Sequence, residues 1–293
     1  MQPKSGKMTV MSRTVTARFS ACAFLLCTLL FLRGMPPAGA RGLQAGLPDK
    51  DKAVTPATSS PNTNPILIEL FTSEGCSSCP PADVVLQRLD TFQPIAGAQL
   101  IVMSEHVTYW DHDGWRDPNS SPSLTDRQSS YEAALGKKDV FTPQMIVDGT
   151  QELHLGNPQQ MEDLLKKAAA TPKVPVRISE VAFDAGNPTV LRAHIETDAN
   201  LEKHNADVYL AVALDRVESQ VLRGENGGKH LIHVAVVQQL TKVGKLSKGK
   251  SFAEDVQLKL KSRADPKNLR LIAFVQESGP GKLLGSALRK AGS

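Results

Sequence analysis

Cys76 and Cys79, in the string CSSC, are spaced for thiol–disulfide exchange. A thiolate attacks a disulfide, and a second thiol three residues on can reach the first sulfur and resolve the mixed disulfide within the chain. The surrounding stretch, residues 66–83, reads ILIELFTSEGCSSCPPAD. It implies an apolar strand, a turn, the dithiol, and a helix opened by Pro80-Pro81. At a helix start, free backbone N–H groups and the positive end of the dipole favour thiolate over thiol. Cys76, the first to meet that helix start, is expected to be the more exposed and more acidic nucleophile. Cys79 is expected to turn toward the core and resolve. Ser77 and Ser78 can add hydroxyls to the thiolate's surroundings.

The same sulfurs suit a soft metal, so a copper-binding, metallochaperone-like module with Cys76, Cys79 and His106 as ligands is the alternative reading. Zinc wants four ligands, and no second cysteine pair stands beside this one. A third reading is a non-catalytic interaction protein with an inert bridge. Residues 105–118, EHVTYWDHDGWRDP, hold both tryptophans, Trp110 and Trp115, together with Tyr109, His106, His112, Asp111 and Asp113. They form either a lip over the dithiol, with Trp110 binding substrate and His106 acting on the thiol proton, or a packed loop whose aromatics cover its own backbone.

These groups need a compartment and a scaffold. Residues 1–40 place Lys4, Lys7, Arg13 and Arg18 before an apolar core at 19–32 and end in Ala38-Gly39-Ala40. This is the pattern of a secretory signal peptide cleaved after Ala40. Its apolar core is too short for a membrane span, so no span is expected in the mature chain, which belongs in the periplasm or outside the cell. The segment carries five of the 34 basic residues and none of the 30 acidic ones, leaving one net negative charge. That balance argues for neither nucleic acid nor an anionic membrane as partner. Cys22 and Cys27 leave with the signal. No cofactor is expected.

Residues 41–65 read as a flexible linker, poor in apolar side chains. In the first domain, 66–171, helical spacing at 82–89 follows the dithiol, and the run QLIVMS at 99–104 suits a strand buried on both faces. Thr125-Asp-Arg-Gln128 has the form of a capping box, and Gly136 of a helix stop. Asp148-Gly149 between extended runs predicts a hairpin, and Asn157-Pro158 caps a helix through Leu165. In the second domain, 172–293, strand-like runs at 176–183, 190–196, 208–214, 230–237, 253–259 and 271–277 predict an all-β antiparallel sandwich. Gly224-Glu-Asn-Gly-Gly228 reads as a wide turn, and the lysine-rich stretch 242–250 as a solvated one.

The order strand, C-x-x-C, helix, Thr-Pro, hairpin and terminal helix resembles the thioredoxin fold. The strings ELFTSEGCSSCPPAD, HVTYWDHDGWRDP, RQSSY, FTPQMIVDG and GENGGKHLIH resemble an exported thioredoxin-like family known only as a domain of unknown function. The resemblance implies an α/β thioredoxin-like domain at 66–171 with a cis bond before Pro143. Pro143 and the Thr142 backbone would then lie beside the dithiol and hold an extended substrate. It further implies a thiol–disulfide oxidoreductase acting on a protein thiol or disulfide, with a separate redox partner. Glu69, inside the apolar strand, would accept the Cys79 proton in that scheme. Read on its own, it is equally a salt-bridged strand residue.

Overall fold

Residues 63–198 and 205–292 are described by a computed structural model; the expected signal peptide (1–40) and nearly all of the expected linker (41–65) lie outside the described residues. In chain order the elements are β1 (Asn64–Thr72), α1 (Pro80–Phe92), β2 (Ala98–His106), α2 (Pro122–Ala134), β3 (Gln144–Val147), β4 (Gln151–Glu152) and α3 (Pro158–Ala169). They continue with β5 (Arg177–Asp184), β6 (Asn187–Thr197), β7 (Ala206–Gln220), β8 (His230–Leu246), β9 (Phe252–Lys259), β10 (Leu269–Glu277) and β11 (Leu283–Lys290).

The apolar run of β1 is buried from Ile66 to Thr72, as a strand covered on both faces must be. It lies parallel to β2 along its whole length and antiparallel to β3. On one face Ile66, Ile68 and Leu70 pack with Ala82, Leu86 and Leu89 of α1 and Leu165 of α3. Successive side chains alternate across the strand, which turns Leu67, Glu69 and Phe71 to the other face. There Leu67 meets Met103 of β2, Ala211 of β7 and Phe274 of β10.

That second contact overturns the expected architecture. An α/β thioredoxin-like domain followed by an all-β sandwich does not describe this chain. One mixed sheet of eight strands, ordered β11-β10-β7-β8-β2-β1-β3-β4, takes strands from both sides of residue 171. The join is a parallel pairing of β2 with β8 at Ser104 and Val236. It covers an edge of β2 that would otherwise expose unpaired backbone groups. The strands β5, β6 and β9 form a separate three-stranded sheet. It packs on β7 and β10 through Leu191, Ile195, Val208, Leu210, Leu271 and Phe252.

Several local expectations hold. The Thr142–Pro143 bond is cis. Asp148 and Gly149 take φ of 48° and 74°, the left-handed values that a tight hairpin requires. The Asn157 side chain accepts from Gln160 N at 3.1 Å and caps α3. The capping box at Thr125 does not form. The helix starts a turn earlier, with Pro122 after Ser121, and Thr125 Oγ1 accepts from Thr108 N at 2.9 Å. Among the described residues no helix is long and apolar enough to cross a membrane.

Candidate functional site: a roofed disulfide

Cys76 and Cys79 are joined in a disulfide at the junction of β1 and α1. Cys79 is the residue before α1, and its carbonyl accepts from Ala82 N at 2.8 Å and Asp83 N at 3.2 Å. Pro80 and Pro81 fill the first helical positions, where no N–H is needed. Both cysteines are fully buried, while Ser77 and Ser78 between them are exposed. The expected contrast between an exposed Cys76 and a buried Cys79 is therefore absent, because segments from elsewhere in the chain cover the pair.

One cover is the loop between β2 and α2. Gly75 lies so close to it that a Cβ would fall 2.6 Å from the Trp110 carbonyl oxygen, which restricts the position to glycine. Trp110 Nε1 donates to Thr142 Oγ1 at 2.6 Å. The Thr142 carbonyl in turn lies 3.5 Å from Ser78 Oγ, and that hydroxyl is 3.4 Å from Cys76 Sγ. Thus Trp110 and Thr142, the residue before the cis Pro143, are linked through Ser78 to Cys76. Trp110 serves there as a half-buried roof, and His112 stays exposed on the loop.

The other cover comes from the loop between β7 and β8, in the GENGG string. Asn226, buried, donates through Nδ2 to the carbonyls of Glu74 and Cys76, both at 2.9 Å. Its Oδ1 accepts from Lys229 Nζ at 2.8 Å. Glu225 Oε2 accepts from Ser77 N at 3.1 Å.

Beneath the turn lies a buried acid–base group of Glu74, Asp83, His106, Asp117 and His233. His106 Nδ1 is 2.7 Å from Asp117 Oδ2, which also accepts from Glu74 N at 2.8 Å. Burial pulls the His106 pKa down, but Asp117 outweighs it and the net shift is upward. For Asp117, burial pushes upward, and the His106 charge and bond with two backbone donors bring its pKa down to about 2. The His106 and His233 rings meet edge to face at 4.7 Å. His233 Nδ1 lies 3.5 Å from Asp83 Oδ1, and Thr72 Oγ1 donates to Asp83 Oδ2 at 3.4 Å. Trp115 Nε1 donates to Glu74 Oε2 at 3.0 Å. Asp83 Oδ1, His106 Nε2 and both nitrogens of His233 have no hydrogen-bond partner. Asp83 follows Cys79 by four residues on α1, which sets it one turn below the cysteine on the same side.

Glu69 belongs to a different group. It faces away from α1, and its carboxylate accepts from Arg127 Nε and Tyr131 OH, each at 2.6 Å. Arg127 Nε is also 3.6 Å from Glu105 Oε1. Burial first, then the charge of Glu69, push the Glu105 pKa well above the ordinary range, with Arg127 opposing. The proton-accepting role expected of Glu69 is corrected: strand alternation turns it to the opposite face, where it is held in an ion pair. Of the residues on the α1 side, Asp83 closes the string that carries the dithiol and His233 lies in the strand-like run 230–237, and neither position by itself marks a site. Among the described residues no group of three or more His, Cys, Asp or Glu side chains could hold a metal ion.

Comparison with known proteins agrees on the fold. The chain belongs to the family described as protein of unknown function (DUF1223), which it matches over residues 67–276. A crystal structure of a protein from Agrobacterium tumefaciens is similar at 26% identity and a TM-score of 0.62, covering 79% of this chain and 96% of that one. A domain of the outer membrane lipoprotein Omp28 from Porphyromonas gingivalis reaches 13% identity and a TM-score of 0.25, over 41% of this chain and 88% of its own. A β-glucosidase from Kluyveromyces marxianus reaches 14% and 0.24, over 55% and 16%. Scores of that size bear on nothing in the site. No curated protein matches.

Proposed function

We propose that this chain is an exported thiol–disulfide oxidoreductase that exchanges two electrons with a partner protein through Cys76 and Cys79. The observation that carries the reading is a disulfide at a helix start with the Asp83–His233 pair one helical turn beneath Cys79. In the oxidised form a thiolate of a partner dithiol attacks Cys76 Sγ. The Cys76–Cys79 bond breaks, Cys79 leaves as a thiolate, and the acid–base group supplies its proton. The partner's second thiol then loses its proton and attacks the mixed disulfide, which releases Cys76 and leaves the partner oxidised. Run backwards, the same steps reduce a partner disulfide, with Asp83 and His233 taking up the Cys79 proton. Because neither cysteine is exposed, a macromolecular partner reaches the sulfur only after the segments packed on the turn move aside.

Export rests on the pattern of residues 1–40, and mature protein should begin at Arg41. The chemical test uses a disulfide-bonded model peptide and mass analysis. Cys76→Ser should abolish exchange, while Cys79→Ser should accumulate a mixed disulfide at Cys76. The reading is abandoned if the reduced native protein exchanges nothing and Cys79→Ser traps nothing.

A further inference from the structure

The disulfide turn is gripped from a point far along the chain by a carboxylate whose position is not explained by packing. Glu225 is exposed, yet its Oε2 accepts from the backbone amide of Ser77, the residue directly after Cys76. In a dithiol at a helix start, that amide is one of the donors a Cys76 thiolate would otherwise draw on. Here it is already taken, and taken by a negative charge. Next to it Asn226 holds the Cys76 carbonyl, so the loop cannot drift away from the turn while the Asn226 bonds stand. Two groups face Glu225: the Ser77 amide, with its side chain, from the dithiol turn, and His112 from the loop between β2 and α2. The bonds from Ser77 come first, and the His112 charge adds to them, in keeping the Glu225 carboxylate ionised.

We propose that Glu225 sets the redox poise of the Cys76–Cys79 couple, by occupying the Ser77 amide and opposing the charge that forms on Cys76 when the bridge is reduced. This rests on the oxidoreductase reading. Reduction breaks the S–S bond, adds two electrons and leaves two thiols that take up protons as the pH dictates. Any Cys76 present as thiolate then shares the turn with the Glu225 carboxylate, which is bonded to the amide of the next residue. Like charges on one turn disfavour the reduced form, so Glu225 biases the couple toward the disulfide and keeps Cys76 a weaker acid. Because Glu225 is exposed, the bias is screened by salt.

The experiment equilibrates native protein and Glu225→Gln with glutathione and titrates Cys76 through its ultraviolet thiolate absorbance, which needs no access by a reagent. Glutamine keeps an acceptor for the Ser77 amide and removes the charge. The glutathione equilibrium of Glu225→Gln should move about tenfold toward the dithiol, about 30 mV for a two-electron couple. Cys76 should titrate lower, and both differences should shrink in molar salt. Equal equilibria for the two proteins, or a shift that salt leaves unchanged, would overturn the proposal. If both proteins equilibrate with glutathione but neither exchanges with a peptide disulfide, the oxidoreductase reading fails while the poise of the couple is still measured.

Discussion

Glu105 and His106 are neighbours in β2 and point to opposite faces of the sheet, each into a buried polar group of a different kind. On the Glu105 side the carboxyl groups of Glu69 and Glu105 face Arg127, a permanent cation that also stacks on Tyr131, Phe274 and Tyr209 at 5.0 to 5.7 Å. On the His106 side the carboxylates of Glu74, Asp83 and Asp117 have, among the described residues, ion-pair partners only in histidines. The first group has a guanidinium that keeps its charge at every pH a folded protein meets. The second has balancing charge only while imidazoles are protonated. Both groups bury polar atoms without hydrogen-bond partners, the two Glu105 oxygens in the first and Asp83 Oδ1, His106 Nε2 and both His233 nitrogens in the second. A fold gives up stability at such places. The strand's conspicuous acid, Glu69, braces the sheet through Arg127 and Tyr131, while Asp83 lies on the α1 side, one turn from Cys79.

Substitutions should separate the two groups. The largest effect is expected from Arg127→Met, which leaves Glu69 without its cation and should cost about 3–5 kcal/mol in denaturant unfolding. Exchange per folded molecule should not change. If stability hardly moves, the bracing role is wrong. Asp83→Asn should do the converse, slowing the release and resolution of Cys79 by about a hundredfold with little loss of stability. The slowing should be greatest at low pH for the reducing direction, and a uniform effect across pH would assign Asp83 a structural role instead.

A smaller effect follows from pH. The Asp117 pKa, lowered to about 2 from 3.8, contributes stability that is present above 3.8 and lost as pH falls toward 2. The His106 pKa, raised from 6.5, contributes stability that is complete below 6.5 and lost as pH climbs through its folded value. The pair is thus strongest between those limits, by roughly 2 kcal/mol, and His106→Gln should flatten the unfolding profile on both sides. The mildest change is Trp110→Phe, which loses the bond to Thr142, worth about 1 kcal/mol. Small thiols should then reduce the bridge a few times faster, and an unchanged rate would mean that the roof does not limit access.

Local chemistry carried much of this to the surface of the sequence. The strand, dithiol and helix, the Asp148-Gly149 turn and the Asn157 cap each depend on residues a few positions apart, while the cis Thr142–Pro143 bond came from the family resemblance. What failed depends on distance along the chain. Nothing near Ser104 announces that β8 will pair with it, so the sheet was divided where it is continuous. Glu69 stood open between a proton acceptor for Cys79 and a salt-bridged strand residue, because only its partners, Arg127 and Tyr131 on α2, reveal which way it points. Glu225 and Asn226 lay in a string read as a turn. Their contacts with Ser77, Glu74 and Cys76 span 148 to 152 residues.

Those spans have a temporal meaning. A chain made from its N-terminus delivers Cys76 and Cys79 long before Asn226, which lies 150 residues behind. In the nascent chain the two thiols are therefore bare, open to any oxidant or to wrong partners. Contacts closing so long a loop form late. The pairing of β8 with β2 that brings Asn226 to the turn is thus a late event, and it marks the moment when the cysteines stop behaving as ordinary thiols of an unfolded polypeptide.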